Sequence, residues 1–211
     1  NDVLCYSDSS GEISTQVSGG TGPYTYAWST ISTWNSLPYA IPFPTNANVG
    51  NPTPPFGLPA GTYMVTVTDA NGNTGGCTDF AVITITQPAT PLAGALTPHA
   101  VDCNSNATGS IDITAYGGVG PYAVTRNNNP IGTILLPGGT ITETGLIAGN
   151  YTYVITDANL CTASRSFTIT QPTAIVVNAV SQTNVSCNAG SNGAATILAS
   201  GGTGAFTYNW T

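Results

Sequence analysis

The chain has almost no basic side chains. Among its 211 residues there is no lysine, and arginine occurs only at Arg126 and Arg165, so the nine acidic residues leave a net charge of −7. Nucleic-acid binding requires clustered cations that neutralise phosphates, and an anionic membrane surface attracts basic segments. The composition therefore excludes nucleic acid and anionic lipid as partners.

Long apolar runs are also absent. No segment reaches the roughly 18–20 consecutive apolar residues that are needed to cross a bilayer. The first residues, Asn1, Asp2 and Val3, have neither the basic start nor the apolar stretch of a signal peptide. We expect no membrane span, and we expect any export signal to have been removed or to lie outside this segment.

What the chain does contain is a repeated pattern. The string GGTGPYTY at 19–26 returns as GGVGPYAV at 117–124 and as GGTGAFTY at 201–208. Self-similarity of this kind indicates a tandem array of small modules. A cysteine precedes each copy of the glycine motif by 14 residues, at Cys5, Cys103 and Cys187.

Two further motifs follow the first in each of the two longer copies. LPAGTYMVTVTDANG at 58–72 returns as LIAGNYTYVITDANL at 146–160. ITITQP at 83–88 returns as FTITQP at 167–172. The order of the motifs is the same each time, so the copies are expected to share one fold.

The repeats predict three modules. Residues 1–88 form module 1, whose first strand is missing or short, residues 89–172 form module 2, and residues 173–211 form the N-terminal half of module 3. Half a sandwich would leave strand edges and apolar faces exposed. We therefore expect the sequence to be a window cut from a longer array.

Strands are the predicted regular element. Tyr63, Val65 and Val67 occupy alternate positions, which is the period of a β-strand with one buried face. Short alternating segments separated by Gly, Pro and Asn turns predict an all-β fold of tandem Ig-like β-sandwich modules with about seven strands each. Tyr63 and Tyr151 stand where such a sandwich has a tyrosine corner.

Each full module has one cysteine before its second strand and one after the TDAN turn. We therefore predict the disulfides Cys5–Cys77 and Cys103–Cys161, with Cys187 left unpaired by truncation. Closing loops of this size would stabilise a module by roughly 4 kcal/mol. Metal binding is the alternative, but widely spaced single cysteines and one histidine do not make a zinc site. Disulfides imply an oxidising, extracellular location.

These motifs resemble a known family. A cysteine, the segment GGTGPYTYAW, the segment LPAGTYMVTVTD, a second cysteine and a closing TITQP are similar to the SprB-type surface repeat, and distantly to PKD-like Ig domains. Such repeats occur in very large Bacteroidetes cell-surface proteins, including gliding-motility adhesins exported by the type IX secretion system. The resemblance implies PKD-like sandwich modules on a cell surface.

No catalytic constellation is apparent. His99 is the only histidine, no nucleophile motif accompanies it, and the other two copies have no equivalent, so we interpret it as a linker residue. The acidic residues form no repeated pair of the kind that glycoside hydrolysis needs. The sequence predicts a chain that is not an enzyme and has no cofactor.

Two binding hypotheses remain open. Asp69, Asn71 and Asn73 place oxygen atoms at alternate positions, as in a calcium loop, although a tight hairpin explains the same residues. The aromatic rings of Tyr24, Trp28 and Trp34 could contact glycan, although core-facing and edge-protecting aromatics explain them too.

The leading functional hypothesis is an extracellular structural or adhesive repeat array that forms a stalk or filament on a bacterial cell surface. Its partners would be neighbouring modules of the same long chain, self-assembled copies, or surface glycans. Short Gln-Pro linkers at 87–88 and 171–172 would limit bending between modules. The alternative is a carbohydrate-binding or accessory module of a secreted enzyme.

Overall fold

The fold is all-β, as predicted. The computed structural model describes residues 1–33, 56–71 and 76–210. In these ranges the chain forms fourteen strands joined by turns, and none of the described residues belongs to a helix that could cross a membrane.

Module 1 is an open sandwich of two small antiparallel sheets. One sheet pairs β1 with β3, and the other has the order β2-β4-β5. The strands are β1 (Gly11–Glu12), β2 (Thr25–Thr33), β3 (Phe56–Leu58), β4 (Gly61–Thr68) and β5 (Thr78–Ile85).

Module 2 is a seven-stranded sandwich, the strand number expected for an Ig-like module. Its two antiparallel sheets have the orders β10-β7-β6 and β12-β11-β8-β9. The strands are β6 (Ala93–His99), β7 (Gly109–Tyr116), β8 (Tyr122–Arg126), β9 (Asn129–Ile134), β10 (Thr140–Leu146), β11 (Gly149–Thr156) and β12 (Thr162–Ile169).

The core of module 2 follows the two-residue period of its strands. On β7 the side chains of Ile111, Ile113 and Ala115 are fully buried, whereas Asp112 and Thr114 between them are not. Side chains from both sheets meet in one apolar cluster, which excludes water and holds the sheets together. The cluster comprises Val101, Ile111, Ile113, Ala115, Tyr122, Val124, Ile134, Leu146, Tyr153, Ile155 and Ile169.

A polar cluster also joins the two sheets of module 2. Glu143 on β10 accepts a hydrogen bond from the Tyr153 hydroxyl on β11. It also forms an ion pair with Arg126 on β8, with 3.0 Å between Glu143 Oε1 and Arg126 Nη2. The Arg126 guanidinium lies over the Tyr151 ring, 5.5 Å from its centroid. Burial, together with the bond to Glu143, raises the pKa of Tyr153 well above its usual range. Burial and the neighbouring carboxylate therefore keep the Tyr153 hydroxyl protonated as a donor.

Module 1 has a groove where module 2 has a strand. Ile113 and Ala115 pair with β6, whereas their repeat equivalents, Thr15 and Val17, line a groove of about 520 Å³ together with Phe80. Phe80 is 65% exposed. The expected module boundaries, with a short or missing first strand in module 1, stay a prediction.

The third repeat forms a two-stranded antiparallel sheet of β13 (Val176–Thr183) and β14 (Ala194–Ser200). All eight residues of β13 are exposed, including Val176, Val177 and Val180. This is the exposure expected for strands without a second sheet packed against them.

Both predicted tyrosine corners are present. The Tyr63 hydroxyl donates to the Pro59 carbonyl at 2.6 Å, and the Tyr151 hydroxyl donates to the Ile147 carbonyl at 2.9 Å. Each bond fastens the start of a strand to the backbone four residues upstream, so it fixes the path of the chain into β4 and β11.

We predict that Tyr151→Phe lowers the free energy of unfolding by about 1 kcal/mol, because it deletes one hydroxyl hydrogen bond and keeps the ring. Urea unfolding of the variant and the wild-type protein measures the difference. The matched control is Tyr116→Phe, since that ring is 46% exposed. Equal destabilisation by the two substitutions would contradict the role of the corner.

Candidate functional site: the module junction

Each module has a head end, defined by the loop around its first cysteine. In module 2 the Val101 N–H donates to the Thr170 carbonyl at 3.0 Å, and the Ser105 N–H donates to Gln171 Oε1 at 2.8 Å. These bonds fasten the loop that carries Cys103 to the residues that follow β12.

Module 1 repeats the same head end. The Val3 N–H donates to the Thr86 carbonyl at 2.9 Å, and the Ser7 N–H donates to Gln87 Oε1 at 2.9 Å. The glutamine of each TQP motif therefore has a structural role, because its side-chain carbonyl holds the loop around Cys5 or Cys103.

The opposite end of each module is the hairpin end, defined by the TDAN turn. In module 2 the Asp157 side chain is buried and accepts three backbone hydrogen bonds, from Val119 at 3.0 Å, Asn159 at 2.9 Å and Cys161 at 2.9 Å. The carboxylate thus satisfies N–H groups that would otherwise lack partners in the turn.

The hairpin end of module 1 has the same bonds. Asp69 accepts from the N–H groups of Thr21 at 3.2 Å, Asn71 at 3.1 Å and Cys77 at 2.7 Å. The hydrogen bond from the Cys77 N–H, followed by those from Asn71 and Thr21, holds the pKa of Asp69 below its ordinary value of 3.8.

The glycine motif completes the hairpin end. Gly117 and Gly118 have φ values of +69° and +57°, which side chains rarely adopt. A Cβ on Gly118 would lie 2.4 Å from Asp157 Oδ2, and one on Gly117 would lie 2.0 Å from the Pro91 carbonyl oxygen. Both glycines are therefore required, by backbone conformation and by close packing.

The linker between modules 1 and 2 is fastened at both ends. On its module 1 side, Gln87 bonds to the head loop, and on its module 2 side the Thr90 carbonyl accepts from the Gly118 N–H at 3.0 Å. The linker therefore brings the head end of module 1 to the hairpin end of module 2.

Two contacts bridge the linker. A disulfide joins Cys5 of the module 1 head loop to Cys161 of the module 2 hairpin, with 5.7 Å between the Cα atoms. Beside it, Asn159 Nδ2 donates to the Leu4 carbonyl at 2.8 Å. We call this arrangement of head loop, linker and hairpin turn the module junction.

The repeats match a known family. The family model of the SprB repeat matches residues 1–33, 96–123 and 179–211, and each of these segments contains one head cysteine and all, or all but the last residue, of one glycine motif. The chain carries SprB repeats. No curated protein and no solved structure matches it. The SprB repeat is a structural repeat of cell-surface proteins, so the match supports a cell-surface repeat protein.

The predicted disulfides within each SprB module, Cys5–Cys77 and Cys103–Cys161, are wrong. Cys5 is bonded to Cys161, and Cys77, Cys103 and Cys187 are free and exposed. The physical reason is the length of the last strand. Cys161 directly precedes β12, whereas Cys103 lies beside the residues that follow it, and eight residues of strand span about 25 Å. A disulfide requires Cα atoms within about 7 Å.

The same separation applies in module 1. Cys77 directly precedes β5, whereas the Cys5 loop is bonded to Thr86 and Gln87 beyond its end. The two cysteines of one module thus lie at opposite ends of the sandwich, and the bond forms across the junction instead.

Some junction residues had no signal in the sequence. Leu4 and Thr90 take part through backbone carbonyls, which any residue type supplies. Gln87 and Asn159 belong to repeated motifs. That repetition could have indicated a structural contact shared by the modules, although it could not identify the residue contacted.

The calcium hypothesis remains untested. The oxygens of Asp69 are occupied by three backbone N–H groups, which is the bonding of the alternative explanation, a tight turn. Asn71 is exposed, and Asn73 lies outside the described residues. Within residues 1–33, 56–71 and 76–210, no three His, Cys, Asp or Glu side chains are grouped as a metal site.

Two of the three aromatic residues in the glycan hypothesis make contacts within module 1. The Tyr24 hydroxyl donates to the Gly19 carbonyl at 2.6 Å, as Tyr122 does to Gly117 at 2.8 Å. Trp28 packs against the module 1 core. Trp34 lies outside the described residues, and glycan contact stays a prediction.

His99 is not a linker residue as predicted, because it lies on β6. Its Nε2 is 3.1 Å from Asp112 Oδ2, and the Thr142 hydroxyl donates to Asp112 Oδ1 at 2.6 Å. The bond from Thr142, followed by that from His99, lowers the pKa of Asp112. The group links three neighbouring strands on an exposed sheet face.

We predict that peptide mapping of the unreduced protein finds one disulfide, between Cys5 and Cys161. An alkylating reagent should label Cys77, Cys103 and Cys187 before reduction, since all three are exposed. Pepsin is the suitable protease because the chain has only two basic residues. Recovery of a Cys5–Cys77 peptide would overturn the junction.

We predict that the hairpin of module 1 loosens only at strongly acidic pH. Because the folded-state pKa of Asp69 is lowered, its stabilisation is present above the ordinary value of 3.8 and is lost as the pH falls through the folded value. The NMR shift of the Cys77 amide should titrate with a midpoint below 3.8. Asp69→Asn should remove this titration, whereas Asp102→Asn, outside the turn, should leave it; a midpoint at or above 3.8 would contradict the bond.

Proposed function

We propose that this chain is a non-catalytic, extracellular structural segment of a stalk or filament on a cell surface. The observation that supports it is the module junction. Neighbouring SprB modules are joined by the chain itself, by the Cys5–Cys161 disulfide and by the Asn159–Leu4 hydrogen bond. Three separate attachments oppose bending at a linker that a flexible peptide would leave free.

The use of the carboxylates fits the same role. The chain has few charges, and Asp69 and Asp157 bond backbone N–H groups at the hairpin ends. Hydrogen bonds from several backbone donors to one carboxylate depend less on long mobile side chains than surface ion pairs do. Hairpin turns built in this way keep their bonds when the salt concentration changes.

The disulfide adds resistance to pulling. A force applied along consecutive modules acts first at the linkers, because few contacts cross them. With Cys5 bonded to Cys161, separation of modules 1 and 2 requires a covalent bond to break or a module to unfold. A stalk or an adhesive filament, which carries load between a cell and a surface, benefits from this arrangement.

The free cysteines provide labels for a test of the junction. Cys77 lies at the hairpin end of module 1 and Cys103 at the head end of module 2, so they occupy the two outer ends of the joined pair. Spin labels on both, in a Cys187→Ser background, report the distance between these ends by double electron–electron resonance.

We expect a narrow distance distribution when Cys5 and Cys161 are bonded, and a clearly broader one in the matched protein that also carries Cys5→Ser and Cys161→Ser. A broad distribution in the disulfide-bonded protein would overturn the proposed rigid stalk. Equal, narrow distributions in both proteins would assign the rigidity to the linker rather than to the disulfide.

A further inference from the structure

The Cys5–Cys161 disulfide closes a covalent loop that holds most of modules 1 and 2. The bonded cysteines are 156 positions apart in the chain. Between them lie β1 to β5 of module 1 and β6 to β11 of module 2. A tension in the chain crosses from Cys5 to Cys161 through the sulfur–sulfur bond, because that bond is the shortest covalent route between its two sides. The loop therefore carries none of the tension.

β12 is the one described strand of modules 1 and 2 that lies outside this loop. It begins at Thr162, directly after Cys161, and pairs with β11 over all eight of its residues. Eight residues span about 25 Å as a strand and gain at most about 3 Å when fully extended. Tension therefore crosses module 2, from the hairpin end to the head end, along a segment that has almost no length left to gain.

The head loop of module 2 is attached to the segment that carries the tension out of the module. Residues 170–172 each accept one hydrogen bond from this loop. The donors are the Val101 N–H at 3.0 Å, the Ser105 N–H at 2.8 Å and Asn104 Nδ2 at 3.0 Å. Module 2 is thus fastened to the tensed segment beyond the end of β12 as well as along it.

On the other side of the disulfide, the segment before Cys5 is short. The Val3 N–H donates to the Thr86 carbonyl at 2.9 Å, and the Leu4 N–H donates to Ser10 Oγ at 2.9 Å. If tension pulled this segment off module 1, its four residues would add at most about 15 Å. The rest of module 1 lies within the loop.

Tension unfolds a protein because unfolding lengthens the chain between the two points that are pulled, and forced unfolding is governed by the unfolding rate. Unfolding inside the loop lengthens nothing between those points. Without the disulfide, the same tension would run through all the strands of both modules, and their unfolding would release roughly 500 Å. The bond thus removes the gain in length by which tension speeds unfolding.

We propose that the Cys5–Cys161 disulfide and β12 form a covalent load path that bypasses the folded cores of modules 1 and 2. The two modules then stay folded at a tension that unfolds them when the bond is absent. A stalk built in this way carries load without lengthening and without exposing its apolar cores. The inference deepens the proposed stalk function and rests on it.

The test pulls single molecules with optical tweezers through handles at the two ends of the chain. Cys77 and Cys103 carry a donor–acceptor dye pair in a Cys187→Ser background, and both labelled residues lie inside the loop. Energy transfer between the dyes therefore reports whether the outer ends of the two modules stay in place. The matched protein also carries Cys5→Ser and Cys161→Ser. The third repeat lies on the load path of both proteins, so its extension is the same in both.

We expect the disulfide-bonded protein to keep its energy transfer as tension rises, with no lengthening step from modules 1 and 2. The matched protein should lose its energy transfer and lengthen by roughly 500 Å in one or two steps, since both modules are then on the load path. Loss of energy transfer at the same tension in both proteins would overturn the proposal, because the modules would then unfold although the bond holds.

Reduction of the bond in a single molecule gives a second measurement that does not depend on the folding of the matched protein. At constant tension, dithiothreitol is added to the disulfide-bonded protein. Its two thiols are oxidised to one cyclic disulfide, and the Cys5–Cys161 bond takes up two electrons and two protons to become two thiols. Energy transfer should persist until reduction and disappear with the step of roughly 500 Å that follows. Disappearance before any step would contradict the bypass.

This outcome is independent of the spin-label measurement. Preserved energy transfer under tension together with a broad spin-label distribution would retain the bypass and reject the rigid stalk. A narrow distribution together with energy transfer that is lost at equal tension in both proteins would retain the rigid stalk and reject the bypass.

Discussion

The separation between the two ends of a module is the constraint on which the junction depends. Antiparallel strands run from the head end to the hairpin end and back, and the last strand alone spans about 25 Å. The repeated motifs divide between these ends. TQP holds the head loop, whereas the glycine motif and TDAN form the opposite end with the Asp157 carboxylate between them. The linker then places unlike ends together, and the Cys5–Cys161 bond closes across them.

The carboxylates of this protein bond to backbone N–H groups more often than they form ion pairs. Only two ion pairs occur among the described residues, His99–Asp112 and Arg126–Glu143. The buried Asp157 instead accepts three backbone N–H groups, and Asp69 repeats the arrangement in module 1. With no lysine in the chain, backbone donors are the principal groups that can balance these anions. This explains how a chain with so few charged residues keeps its turns ordered.

Several features could be predicted from residues alone because they depend on local patterns. The alternation around Tyr63 predicted strands, and the position of Tyr151 predicted a corner whose hydroxyl bond is present. The disulfide pairing was wrong although the cysteines were correctly grouped by type. Five strands, β7 to β11, lie between Cys103 and Cys161, and an odd number of traverses ends at the far side of the sandwich. The odd number of strands could therefore have indicated that the two cysteines lie at opposite ends of the module, but it could not identify the partner of either cysteine.

The sequence by itself determined the repeat, the all-β class and the positions of the turns, because repetition, side-chain period and turn chemistry are properties of neighbouring residues. Tertiary structure decided which cysteines meet and what Gln87 and Asn159 contact. These depend on distances between residues far apart in the chain. Cys5 and Cys161 are 156 residues apart, and only the folding of two modules and the path of their linker bring them within bonding distance.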